Sequence, residues 1–308
     1  GNLDGQFVLP TGLALNKEMQ KLKTAKEKTT PEQENYIAEE LSDLSKFLQG
    51  GSIISGDEMS NYVNRITKEL LKGESALNGK LRVVITRNPV VNASVVDQGF
   101  VFVNIGMLAQ VENESQLAFI LGRQIALYRE QHSMSRFKKR QQLIKEKKLY
   151  GDELREALRQ DSKQRQTAAD RESIRLMKQA GYSLNAGVST LDVLLYSYVP
   201  FDDVPFETAM FEDKNLKFPE SYTLKETRGI SCDEDFDDSN SSHPNIRKRK
   251  ETLQTEIDEY KAGEPERKKY LVSETTFKAV QRTARYEVCR QYELKRNFRS
   301  LSLEVCDI

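Results

Sequence analysis

The chain has 308 residues, with 47 Lys plus Arg set against 47 Asp plus Glu, so its net charge is zero. That balance excludes a generic nucleic-acid binder, which needs a positive excess to meet phosphate. No apolar run approaches the ~18–20 residues that span a bilayer. With two histidines, three cysteines and no CxxC pair, a cysteine-rich zinc module and a multi-bridge disulfide framework are excluded as well.

Residues 11–49 read as two charged helices. The second opens on Thr29-Thr30-Pro31-Glu32, a Thr cap followed by Pro in the first turn and acids toward the positive end of the dipole. Leu41, Leu44, Phe47 and Leu48 form its apolar stripe, and Gly50-Gly51 ends it. The spacing predicts another helix over 57–71. Period-2 alternation then gives three short strands near 81–87, 92–96 and 99–105. Helix returns at 107–111, in a long element from Glu114 past Phe137, and from about Glu153 to Ala180, where Gly181 supplies the stop. Residues 183–198, 244–261 and 275–295 are helical by pattern, and 298–305 makes a last short one. Residues 199–242, with scattered prolines and the acidic stretch 233–238, read as irregular loop. The basic run 136–140 reads as a solvated helix face.

Three stretches carry chemistry. They are Asn92-Ala93; the run from Gly99 to Leu108; and Glu112-Asn113-Glu114-Ser115-Gln116-Leu117-Ala118-Phe119-Ile120-Leu121-Gly122. With Ala169-Asp170, Ala180-Gly181-Tyr182, Ser242-His243-Pro244 and Arg249, they resemble the zinc metallopeptidases related to the CAAX prenyl protease, HtpX and BepA. The resemblance covers roughly residues 51–260. It implies a zincin-like, mostly helical α+β fold with a small three-stranded sheet. It divides the chain into an N-terminal helical segment (1–50), a peptidase-like domain (51–262) and a C-terminal helical hairpin (263–308) of tetratricopeptide type, with Cys289 and Cys306 on its two arms. It also implies an exported location, periplasmic or on the outer side of a membrane.

In that family, HExxH on a helix puts two imidazoles on one face to share a zinc ion, and its Glu acts as general base. Here the corresponding residues are Arg123, Gln124 and Leu127, and the distal Glu ligand corresponds to Gln166. A guanidinium and an isobutyl group offer zinc no lone pair, and an amide cannot take a proton at useful pH. His132 and His243 are the only remaining imidazoles. The expectation is a pseudo-peptidase with no cofactor and no catalytic residues, in which Arg123 has either a partner acid or exposure to solvent. The alternative is an active metalloendopeptidase with a non-standard metal site. The strand Gly99, Phe100, Val101, Phe102, Val103, Asn104 is expected to pair with an extended peptide through its backbone, and His243 is a further binding candidate. The partner is expected to be a protein or extended peptide, not nucleic acid.

Overall fold

Helix α1 (Pro31–Gln49) starts on a reciprocal cap. The Gln33 N–H donates to the Thr30 side chain, and the Thr30 N–H donates to Gln33 Oε1. Its stripe of Ile37, Leu41, Leu44 and Leu48 is buried. The computed structural model describes residues 30–54, 56–77, 79–198, 208–222, 231–261 and 267–297. The first predicted N-terminal helix, the last one at 298–305, and Cys306 lie outside these residues.

The sheet has four strands where three were expected: β1 (Ile53–Ile54), β2 (Arg82–Thr86), β3 (Ala93–Val95) and β4 (Phe100–Asn104), in the order β1-β2-β4-β3. The pair β2/β4 is parallel, and β1 and β3 are antiparallel edges. At two residues, β1 is too short to show alternation. Both sheet faces are covered. Val83, Ile85, Val101 and Val103 enter the main core with Tyr62, Val63 and Ile66 of α2 (Glu58–Leu70). Val84, Phe100 and Phe102 pack under Leu44 and Leu48 of α1.

After α3 (Ile105–Gln110), the single long helix expected past Phe137 is two helices, α4 (Glu114–Arg129) and α5 (His132–Lys145). Gln131 between them is left-handed, with φ 46°. The Asp97 carboxylate accepts from the Ser133 and Met134 N–H groups at 3.3 and 2.7 Å, capping the second helix. That cap comes from the β3–β4 turn, so no local pattern could reveal it. The remaining helices are α6 (Gly151–Ala180), α7 (Asn185–Leu195), α8 (Ile246–Lys261) and α9 (Glu274–Leu294). Gly181 ends α6 with φ 93°, the left-handed stop read from the sequence.

The buried carboxylate of Glu114 ties the two ends of the fold together. It accepts from Tyr62 Oη (2.6 Å), Tyr182 Oη (2.8 Å) and the N–H groups of Leu271, Val272 and Ser273. Helix α9 follows, placing Phe277, Val280, Ala284 and Val288 in the same core as the sheet and α4. Helix α9 is thus buried against the peptidase-like region. The acidic stretch is not wholly loose either. Asp238 is buried, pairing with Lys163 at 3.0 Å and Lys248 at 3.1 Å.

Candidate functional site at the contact of α4 and α6

Helices α4 and α6 approach closely because Gly122 has no side chain. A Cβ there would lie 2.4 Å from Ser173 Oγ, which instead donates to the Phe119 carbonyl at 2.7 Å. The next residue on α4 is Arg123. Its guanidinium is buried and reaches across to α6, where Nη2 donates to Gln166 Oε1 at 2.6 Å and Nε lies 2.5 Å from Asp170 Oδ1. Asp170 also receives a two-pronged contact from Arg249 of α8, at 2.8 Å from Nε and 3.0 Å from Nη2. Burial pushes the Asp170 carboxyl up, but the cations of Arg123 and Arg249 outweigh it and hold the group below the usual carboxylate range.

One turn along α4, Leu127 packs with Ala126, Ala169 of α6 and Val95 of β3. Gln124 is buried with its Oε1 unpartnered. His243 is exposed just before α8. Crowding by protein, then the guanidiniums of Arg123 and Arg249, lower its imidazole to about 4. Because the ring is open to solvent, the two cations are the causes on which a test rests. His132, at the start of α5, is also held below its ordinary value by burial and by Arg165 and Arg136, and its Nδ1 has no partner.

The model of peptidase family M48 matches residues 58–257. The chain belongs to that family. Its mostly helical α+β architecture is the zincin-like fold of the M48 peptidases. No curated protein matches the chain.

The residues read from the sequence as standing at the family's metal positions do not fit a zinc ion. Arg123 brings a fixed cation, Leu127 no donor atom, and the one amide oxygen of Gln166 already accepts from Arg123. Among the described residues, no group of three or more His, Cys, Asp or Glu side chains is placed to hold a metal. A cluster of two guanidiniums and one carboxylate joins α4, α6 and α8 here. Asp170 and Arg249 were legible as family motif residues, and Asp170, one turn beyond Gln166, is the acid that Arg123 required.

The expected peptide-pairing strand needs correction. Gly99, Phe100, Val101, Phe102, Val103 and Asn104 form the turn and interior strand β4, hydrogen-bonded to β2 on one side and β3 on the other. Their backbone groups are already used. The edge beside the cluster is β3. Val96 N–H donates to Phe100 O, and Asn104 N–H donates to Asn92 O. By the antiparallel alternation, the N–H and C=O groups of Ala93 and Val95 then point away from β4. Among the described residues, no strand pairs with that edge.

Proposed function

We propose that this M48 chain is a pseudo-peptidase that has no zinc and serves as a binding or scaffold module for an extended protein segment. One observation supports the reading: the Arg123 guanidinium, at the position read as the family's first zinc ligand, is locked to Gln166 and Asp170 and links the two helices. An ion-paired arginine can hold two helices together, but it activates no water. Strand addition uses only backbone groups and needs no metal, and the outer edge of β3 offers them beside this cluster. The chain's M48 membership alone supports the alternative, an active metalloendopeptidase.

The test is incubation of purified protein with reduced, carboxymethylated casein, with zinc and with chelator. Intact casein under both conditions, together with co-elution of casein in gel filtration, is the expected result. Chelator-sensitive cleavage would establish the alternative. In the Ala93→Pro variant, which removes an outward N–H from an edge strand where Pro is tolerated, co-elution is expected to fall at least tenfold with the melting temperature within about 2 °C of wild type.

A further inference from the structure

On the other side of the sheet lies a trough of about 830 Å³, floored by β2, β3 and β4 and walled by α1 and the end of α9. At one end stand Arg87, Arg290 and Lys295. Arg87 and Arg290 share a single carboxylate, Glu287, at 3.5 and 2.7 Å, and Lys295 adds a third positive charge to the lining, which also holds the acids Glu40 and Asp43. Arg87 Nε is buried there with no hydrogen-bond partner. At the other end, beyond Val96, Gln98 Oε1 is a buried acceptor with no partner. Glu40 is beside it, accepting from Tyr36 Oη at 2.5 Å. Between the ends, Phe47 stands edge-on to Phe102 at 5.1 Å, and both rings line the trough.

We infer that this trough is a second binding site, for the last residues of an extended peptide with a free C-terminal carboxylate. Arg87, Arg290 and Lys295 would receive the carboxylate, Phe47 and Phe102 an apolar side chain, and Gln98 Oε1 a backbone N–H. The dimensions agree. Asn92 to Val96 along the floor spans roughly 13 Å of strand, the length of about four extended residues. A lone inorganic anion would satisfy the cationic end and leave Gln98 and the aromatic wall unused. The inference does not depend on the reading of the Arg123 cluster, which lies on the opposite side of the sheet.

The experiment is affinity selection on the full chain with a randomised tetrapeptide pool, supplied as free acids and as C-terminal amides, with retained peptides read by mass spectrometry. Free acids are expected to be retained at least tenfold over amides. Arg87→Gln and Lys295→Glu are each expected to lose that retention. Lys295 is exposed at the end of α9, so its variant keeps the test meaningful even if Arg87→Gln disturbs folding. Equal retention of acids and amides, no retention of either, or retention unchanged in Lys295→Glu would each overturn the proposal.

Discussion

Asp170 is the residue on which the cluster depends, because its carboxylate balances two buried guanidiniums. Asp170→Asn leaves both cations uncompensated in a site that excludes water, and should cost about 3–5 kcal/mol in urea unfolding. Arg123→Met is expected to be far milder, about 1 kcal/mol or less. It strands one Gln166 oxygen, which then regains some access to water, but removes the excess charge while Arg249 keeps Asp170 paired. The same variant should raise the His243 pKa from about 4 toward its ordinary value, since one of the two facing cations is gone. An NMR titration of the imidazole reads this directly, and an unmoved value would place Arg123 away from His243. Acid sensitivity follows from two carboxylates held below their usual range, Asp170 and Asp238. Burial pushes Asp238 up, but Lys163, the Asn245 N–H and Lys248 more than offset it and leave it at about 2. A lowered pKa contributes stability that is complete above the unfolded value of ~3.9 and lost as pH falls through the folded one. Asp238→Asn should therefore flatten the fall in stability between about pH 4 and pH 2, measured by urea unfolding across that window.

At the scale of elements, α4 and α6 keep a spacing on which a metal site could be rebuilt. Arg123 meets Gln166 and Leu127 meets Ala169, so Arg123, Leu127 and Gln166 lie along one contact between the two helices. The combined variant Arg123→His, Gln124→Glu, Leu127→His and Gln166→Glu is expected to bind zinc in calorimetry, with hydrolysis weak or absent because outer-shell partners remain untuned. Single reversions should bind none. This contact was legible because helical period and motif spacing are local properties, and the same held for the caps at Thr30 and Gly181. What the sequence hid depends on partners distant along the chain. The Asp97 cap splits an apparently continuous helix at Gln131. Strand β3 takes the edge that would otherwise leave β4 free to pair. The trough of Arg87 and Gln98 is assembled from three separate stretches of chain, and the cations at Arg87, Arg290 and Lys295 belong to none of the motifs.

For the whole molecule, Glu114 joins the peptidase-like region to the segment leading into α9. Its carboxylate takes five donors, from α2, from Tyr182 after α6, and from the backbone leading into α9. Glu114→Gln replaces one acceptor oxygen with a donor and strands several buried N–H and O–H groups, each worth about 1–3 kcal/mol. A loss of at least ~3 kcal/mol is expected, with hydrogen exchange accelerated first at Leu271, Val272 and Ser273. One fold in which α9 shares the sheet's core is thus held by a buried carboxylate at one end and by the Arg123–Asp170–Arg249 cluster near its middle. The central claim is that this cluster stands in place of zinc. Its most direct measurement is the zinc content of the natural chain, by elemental analysis after equilibration with excess zinc and removal of free ion. The account predicts far less than one zinc per chain, unchanged in Arg123→Met. One zinc per chain, bound tightly enough to survive that removal, would contradict it.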